Sequence, residues 1–171
     1  MPLIIPINSV TPEWGDDCFL APNATLIGDL VLGDQCSVWF QAVVRGDVNS
    51  IRVGDRVNIQ DGAIIHGTYQ RFGTTIGNDV SIGHRALVHG CTLHDRVLIG
   101  MGATVMDGAV VESDCLIGAG ALVLEGMVCE SGSVYAGVPA RKIKTISPEQ
   151  LADTVTRIAG AYLKYKEWYR E

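Results

Sequence analysis

Three of the four histidines in this chain, His66, His84 and His89, are the side chains best suited to hold a metal ion. Neutral imidazole is a common ligand of Zn²⁺. Three imidazoles leave the fourth position of a tetrahedral ion open to water, as in catalytic rather than structural zinc sites. A lone histidine is more often a surface or hydrogen-bonded residue. The metal hypothesis therefore depends on whether the fold brings these three together.

An aliphatic residue recurs every six positions along most of the chain, which predicts a solenoid of hexapeptide repeats. A small or β-branched residue follows most of these positions four places later, so both are expected to point into one narrow core. Glycine follows many of the aliphatic positions, where a sharp corner favours a residue without Cβ. The aliphatic positions are Leu26, Leu32, Val38, Val44, Val53, Ile59, Ile65, Ile76, Ile82, Val88, Leu93, Ile99, Val105, Val111, Ile117 and Val123; the small positions are Cys36, Ala42, Val57, Ala63, Val80, Ala86, Val97, Ala103, Ala109, Cys115 and Ala121; the glycines are Gly28, Gly33, Gly54, Gly77, Gly83, Gly100 and Gly118.

Three hexapeptides per coil would make the strands the faces of a triangular prism and assign each residue to an edge. Arg45, His66 and His89 each directly follow an aliphatic position on one edge, which predicts that they stack on successive coils about 5 Å apart. His84 lies two residues after Ile82, on another edge about 15 Å away. One chain therefore cannot bring the three histidines together. A cyclic trimer can, because it packs one edge of a chain against a different edge of its neighbour.

Short runs around these residues resemble the gamma-class carbonic anhydrases, which belong to the hexapeptide-repeat superfamily. The three-histidine set is more specific than the repeat itself, which acyltransferases share. The resemblance implies an all-β solenoid, a left-handed parallel β-helix of hexapeptide repeats with a C-terminal α-helix; spacing alone does not give the hand. The matching runs are Val44-Arg45-Gly46-Asp47, Asn58-Ile59-Gln60-Asp61-Gly62, Ile65-His66, Ile82-Gly83-His84, Val88-His89-Gly90-Cys91 and Ser133 through Lys142.

The resemblance also implies an activity and an assembly. His66 and His89 of one subunit and His84 of the next would bind Zn²⁺ at each interface of a homotrimer, and a zinc-bound hydroxide would hydrate carbon dioxide to bicarbonate. Three imidazoles also suit Fe²⁺ or Co²⁺, so the identity of the metal stays open.

Five further residues match family positions. By resemblance, Gln60 orients the hydroxide through its side-chain amide, and Arg45 and Asp61 pair across the interface. Asp47 lies in the same matching run as Arg45, and its alternative role is to stabilise the bend of the backbone there. Tyr135 matches a tyrosine of the family.

The chain departs from the most active members of the family. The segment 67–75 is short and has no carboxylate, whereas those members have an acidic loop that supplies a glutamate proton shuttle. Val48 stands where they have a second glutamate, and Gly137 stands where they have an asparagine. Two alternatives therefore stay open. One is a hexapeptide acyltransferase or thioesterase acting on acyl-CoA, which the loop Ala136 through Arg141 resembles. The other is a non-catalytic trimer that keeps the metal for stability.

Composition indicates which partners and which cellular compartment to expect for the protein. The chain has 171 residues, 47% of them hydrophobic, and a formal net charge of −6. The acidic balance and the lack of a basic run argue against nucleic acid. No apolar run is long enough for a membrane span, and Met1 to Asn8 is too short and uncharged for a signal peptide, so we expect neither. The five cysteines fit no simple disulfide framework, and Cys36 and Cys115 occupy inward positions, so a reducing, cytoplasmic location is expected.

The last 25 residues change character. We expect a β-helix domain over 1–146 and a helix over 147–171 that packs on it. Ser147, Pro148 and Gln150 match an N-cap, a proline at the first helical position and a capping-box partner. The apolar residues that follow have helical spacing, which favours packing against the flank of the solenoid.

Overall fold

The computed structural model describes residues 1–169 as a left-handed parallel β-helix of about seven turns, followed by a helical segment. This is the expected fold class. Most strands have two or three residues because each spans only the straight part of a hexapeptide between two corners. The strands are β1 Leu3–Ile5, β2 Glu13–Trp14, β3 Phe19–Leu20, β4 Thr25–Leu32, β5 Ser37–Val38, β6 Val43–Val53, β7 Asn58–Ile59, β8 Ile64–His66, β9 Thr74–Ile76, β10 Ser81–Ile82, β11 Leu87–His89, β12 Thr92–Leu93, β13 Leu98–Ile99, β14 Thr104–Val105, β15 Val110–Val111, β16 Leu116–Ile117, β17 Leu122–Val123, β18 Val128–Cys129, β19 Ser133–Ala136 and β20 Arg141–Thr145.

Two sheets form the three faces of the prism. The long strands β4 and β6 continue round a corner and join two faces into one twelve-stranded sheet. The third face is an eight-stranded sheet in the order β20-β19-β16-β13-β10-β7-β5-β3, in which β20 is antiparallel and all other pairs are parallel. Successive coils are in register along each face, so the expected assignment of residues to edges is confirmed.

The core is the narrow interior of the prism. Every aliphatic and small position predicted to point inward is at most 6% exposed. Each coil therefore buries its aliphatic residues against those of the coils above and below, which supplies the main hydrophobic stabilisation of a solenoid.

The expectation that the corners favour a residue without Cβ is confirmed, and the reason is close packing rather than a left-handed backbone. Of that predicted set only Gly28 has a positive φ, and the left-handed backbone comes later in each hexapeptide, for example at Gln35 and Arg56. Glycine is needed for close approach between coils instead. A Cβ on Gly54 would lie 2.6 Å from Asn78 Oδ1 and 2.9 Å from the carbonyl carbon of Gly77.

A ladder of Asp and Asn side chains connects successive coils along the edge of the prism where Gly54 lies. The Oδ1 atoms of Asp34, Asp55, Asn78 and Asp95 accept hydrogen bonds of 2.7–2.9 Å from backbone N–H groups of the coil before, the first of them from Asp16. These bonds satisfy amides that turn away from the sheets at the corner, where an unpaired amide would be costly. Glycine and the ladder depend on each other, because only a residue without Cβ leaves room for the ladder oxygen.

The C-terminal segment begins as the sequence predicts and is less regular than expected. Ser147 caps it by accepting a hydrogen bond from the backbone N–H of Gln150 at 3.1 Å, with proline at the first helical position. Residues 170 and 171 of the expected helix over 147–171 lie outside the described residues. The division of this helix from the β-helix as a separate domain stays a prediction. The segment comprises α1 Pro148–Gln150, a π-helical stretch Leu151–Thr156, α2 Arg157–Tyr165 and a 3₁₀ turn Lys166–Tyr169.

Two sets of contacts hold this segment on the eight-stranded face. Val155 is fully buried in a cluster with Leu98 and Val134. Lys166, only 2% exposed, donates to the backbone carbonyl of Asp17 at 2.5 Å and to its carboxylate at 2.9 Å. Among the described residues no helix is long and apolar enough to cross a membrane.

Two glycine substitutions test this account of the coils. Gly54→Ala should lower the free energy of unfolding by about 1–3 kcal/mol, because the new Cβ overpacks against the next coil. Gly160→Ala is the matched control: it adds the same methyl group to α2, where nothing lies within 4 Å, and should raise stability by about 0.5–1 kcal/mol. Chemical denaturation measures both. Equal effects of the two substitutions would contradict the close-approach explanation.

Candidate metal centre

His66 and His89 lie side by side on one edge of the prism. They end the neighbouring strands β8 and β11 and are paired in register. Their ring centroids are 5.1 Å apart, and His66 Nδ1 lies 3.1 Å from His89 Nε2. The predicted stack of the two histidines on successive coils is therefore confirmed.

The separation of these two nitrogens fits a shared metal ion. Two nitrogens bound at 2.0–2.1 Å to a tetrahedral Zn²⁺ lie roughly 3.3 Å apart. His66 Nδ1 and His89 Nε2 are close to that spacing without a metal. Both side chains are largely shielded from solvent, at 15% and 24% exposed.

A carboxylate holds the outer nitrogen of each ring. His66 Nε2 lies 3.1 Å from Asp47 Oδ1, and His89 Nδ1 lies 2.5 Å from Asp107 Oδ1. The other oxygen of Asp107 accepts a hydrogen bond from the Thr68 hydroxyl at 2.5 Å. Metal-binding histidines typically donate their second N–H to such a group, which fixes the tautomer and orients the ring.

Asp107 was not among the candidates from the sequence. It lies two residues after Val105, and Val105 follows Val88 in the row of aliphatic positions that precedes the histidine edge. The repeat therefore contained the signal: an acidic residue on the coil next to His89, near the same corner.

Arg45 lies within the same cluster and pairs with Asp47 of its own chain, while its expected pairing with Asp61 of a neighbouring subunit stays a prediction. Its Nη1 donates to Asp47 Oδ2 of the same chain at 2.6 Å. Burial raises the pKa of Asp47, but the hydrogen bonds from Arg45 and His66 outweigh it, so the net pKa of this carboxyl lies below its usual value. Burial, aided by the charge of Arg45, lowers the pKa of His66 and favours the neutral imidazole that binds metal.

His84 lies on a different edge, as predicted, just after strand β10 of the eight-stranded face. It repeats the carboxylate pattern, since its Nδ1 lies 2.9 Å from Asp61 Oδ2. The side chain is 41% exposed. Within residues 1–169 no three His, Cys, Asp or Glu side chains are placed to hold a metal ion by themselves.

Gln60 and Asp61 come directly after β7, on the same edge as His84. Gln60 is 4% exposed, and its Nε2 donates to Asn58 Oδ1 at 2.9 Å. Asn58 in turn donates to the Ser81 hydroxyl at 2.7 Å. This chain of hydrogen bonds fixes the amide of Gln60 at the base of the edge.

An apolar groove of about 340 Å³ adjoins His84 and Gln60. Its walls come from the eight-stranded face, including Leu98 and Met101, and from Tyr162 on the C-terminal segment. An apolar surface next to a polar histidine can receive either a small apolar substrate or a second protein chain.

Tyr135 is not brought to the other candidates. It pairs with Ile117 on the eight-stranded face, three strands from β10, and is only 4% exposed. Its hydroxyl accepts a hydrogen bond from the backbone N–H of Glu130 at 3.0 Å. Within one chain Tyr135 therefore belongs to the core, and its place in a site shared between subunits stays a prediction.

Comparison with known proteins places this geometry in a family. Residues 73–105 and 90–125 match the Hexapep profile, described as bacterial transferase hexapeptide (six repeats). The crystal structure of a hexapeptide transferase family protein from Anaplasma phagocytophilum has a TM-score of 0.92 at 36% identity, covering 98% of each chain.

Two relatives are named for an activity. Gamma carbonic anhydrase 1, mitochondrial, of Arabidopsis thaliana is 43% identical over 146 residues, which is 82% of this chain and 53% of the relative. The chain thus spans about half the length of such plant relatives. Carbonic anhydrase of Geobacillus kaustophilus is 37% identical over 168 residues, covering 98% of this chain and 91% of the relative. The chain belongs to the gamma-class carbonic anhydrase family of hexapeptide-repeat proteins.

Proposed function

We propose that this protein is a homotrimeric carbonic anhydrase-like metalloenzyme that hydrates carbon dioxide at sites shared between subunits. One observation carries the proposal: His66, His84 and His89 each hold one ring nitrogen against a carboxylate, which would leave the other nitrogen to bind a metal ion. The 3.1 Å spacing of the two paired nitrogens fits the same ion. The names of the relatives support the activity.

The third ligand must come from a second copy of the chain. His84 lies on a separate face, and the apolar groove beside it offers a surface for the histidine edge of a neighbour. A threefold rotation closes such a heterologous contact into a ring. The partly exposed His84 and Arg45 would then be covered on assembly.

A Zn²⁺ ion bound there would lower the pKa of a bound water from about 15.7 to about 7, and Fe²⁺ or Co²⁺ are alternatives of similar ligand preference. Gln60 presents a fixed amide whose nitrogen is engaged by Asn58, which favours its carbonyl oxygen as the acceptor that orients a reactant. The apolar groove suits carbon dioxide, which has no net charge or dipole. Asp47, Asp61 and Asp107 position the three imidazoles.

Acyl transfer or thioester hydrolysis is the second candidate. The solved relative from Anaplasma phagocytophilum is named a hexapeptide transferase family protein, and the groove beside His84 is large and apolar. A metal-stabilised trimer without catalysis is the third. Both alternatives differ from the first in the reaction that the metal-loaded protein performs.

The first prediction concerns assembly and shared ligands. The protein should be a trimer of about 55 kDa, three times the 18.3 kDa chain, in light scattering. His66→Ala and His84→Ala subunits should each be inactive, but dissociated and reassembled together they should regenerate at most one site per mixed trimer. Sites within single chains would regenerate none. A metal-loaded monomer would sink the shared-site model.

The second prediction concerns turnover. Because segment 67–75 has no carboxylate to export the proton, hydration of carbon dioxide should rise with imidazole concentration at constant pH. Stopped-flow measurement should detect this activity in the zinc-loaded protein, retain it in His94→Ala and lose it in His89→Ala. An inactive zinc-loaded trimer would favour acyl chemistry, which release of free thiol from a panel of acyl-CoA substrates would test.

The third prediction concerns Asp107. Asp107→Asn should weaken zinc binding about 10- to 100-fold, because the amide holds the His89 ring less firmly and makes it less basic. The matched control is Asp114→Asn, which removes a carboxylate that pairs with Arg96 at another corner. Competition with a chromophoric chelator measures both constants without an activity assay. Unchanged affinity in Asp107→Asn would show that this carboxylate does not support the metal.

A further inference from the structure

Two thiols lie next to each other on the first two coils of the β-helix, at the edge that carries the ladder of Asp and Asn side chains. Cys18 and Cys36 directly precede the strands β3 and β5, which pair in parallel with Phe19 opposite Ser37. The N–H of Phe19 donates to the carbonyl of Cys36 at 2.9 Å. The two cysteines are therefore one strand spacing apart, about 4.8 Å between Cα atoms, and a disulfide usually spans about 4.4–6.8 Å.

The two thiols differ in their access to solvent. Cys36 is fully buried, whereas Cys18 is partly exposed because β3 is the last strand of the eight-stranded sheet. Cys18 also lines a surface pocket of about 430 Å³, which gives a small reagent a route to its sulfur. The ladder edge carries none of His66, His84 and His89, so the proposed shared sites would use the other two edges of the prism.

An ammonium group lies beside the pair. Lys166 Nζ donates at 2.5 Å to the carbonyl oxygen of Asp17, which belongs to the peptide bond that joins Asp17 to Cys18. Lys166 is only 2% exposed, so water and salt screen its charge little. A buried cation next to a thiol favours the thiolate, which is the reactive form of cysteine.

The surroundings keep one sulfur as a thiolate and the other as a thiol. Hydrogen bonding to the side chain and backbone of Cys36, together with the charge of Lys166, outweighs burial and the charge of Asp34 and lowers the pKa of Cys18 to about 7. The contact with Cys18 and burial raise the pKa of Cys36, which therefore keeps its proton. In a redox pair the thiolate attacks an oxidant, and the second thiol then resolves the product.

Packing alone does not account for this pair. Buried cysteine often serves as a small hydrophobic residue. Val57, Val80 and Val97 occupy the same inward row on the next three coils, so a hydrocarbon side chain suits the position. The two adjacent thiols occupy the end of the row that reaches solvent, where an oxidant can meet them.

We propose that Cys18 and Cys36 form a reversible disulfide when the protein meets a peroxide. The Cys18 thiolate attacks one oxygen of hydrogen peroxide, the O–O bond breaks, and the hydroxide that leaves takes a proton from solvent to become water. The Cys36 sulfur then attacks the sulfenic sulfur of Cys18, the S–O bond breaks, and the thiol proton leaves with the hydroxide as a second water. The thiols lose two electrons, which the peroxide gains.

The second step needs one side-chain rotation. Cys18 Sγ lies 3.2 Å from the carbonyl oxygen of Gly33, and Cys36 Sγ lies 3.1 Å from that of Gly54, so each sulfur points towards the following coil. Rotation of Cys36 about its Cα–Cβ bond turns its sulfur back to Cys18 and gives up one weak S–H bond.

The disulfide would fasten the first coil to the second and remove the negative charge of Cys18 from beside Lys166. Disulfides in a reducing compartment, which the cysteine content predicts for this chain, are typically transient and redox-sensing. A dithiol reductant would restore both thiols. Metal chemistry plays no part in this inference, so it stands or falls separately from the proposed function.

Peptide mass mapping of the full-length, assembled protein tests the linkage. The protein is treated with hydrogen peroxide, its remaining thiols are alkylated under denaturing conditions, and its peptides are compared with those of an untreated sample. A peptide pair joined through Cys18 and Cys36 should form and should disappear on reduction with dithiothreitol. Cys115, fully buried in the same row, is the internal control and should remain a thiol. Absence of the joined pair, or equally fast oxidation of Cys115, would overturn the proposal.

Three variants test the roles of the neighbouring groups. Cys36→Ser should stop the reaction at the sulfenic acid of Cys18, which dimedone traps. Lys166→Met keeps the length of the side chain without its charge and should slow the reaction of Cys18 with peroxide about three- to tenfold near pH 7. Lys164→Met, which removes an exposed charge from the same segment, should leave the rate unchanged. Circular dichroism checks that each variant folds. An undiminished rate in Lys166→Met, or no dimedone adduct in Cys36→Ser, would contradict the proposal.

Discussion

The register between successive coils is the constraint on which the rest of the structure depends. Parallel strands are stacked about 4.8 Å apart in register, so His66 and His89, which are 23 positions apart in sequence, become neighbours in space. Buried aliphatic rows fix the register from inside, and the ladder of Asp and Asn side chains fixes it at one edge. The 3.1 Å approach of His66 and His89 is a direct consequence of that register.

The same rigidity would keep one chain from completing the proposed metal site. A solenoid cannot fold one edge onto another. His84 therefore lies after a strand of the eight-stranded sheet, whereas His66 and His89 lie on strands of the twelve-stranded sheet. The three imidazole rings are nevertheless oriented in the single chain, because a carboxylate lies against one nitrogen of each. Association in a ring would therefore join two ordered surfaces, and little side-chain entropy would be lost in forming the metal centre.

Sequence reasoning recovered what depends on periodicity and missed what depends on local conformation. Hexapeptide spacing was enough for the prism, the buried rows and the histidine stack. It also predicted that the corners need a residue without Cβ, although spacing alone does not show which atoms of the next coil lie there. Tyr135 occupies an inward repeat position of its own chain, so its role in a shared site stays a prediction. The pair that Arg45 forms with Asp47 inside the chain depends on a side-chain rotamer, which no repeat encodes.

Asp61 connects the histidine edge with the C-terminal segment. One oxygen meets Nδ1 of His84. Burial and the charge of the same carboxylate together raise the pKa of Tyr162 to about 12. Tyr162 also lines the apolar groove beside His84, so the helix that bears it affects the surroundings of both the carboxylate and the imidazole.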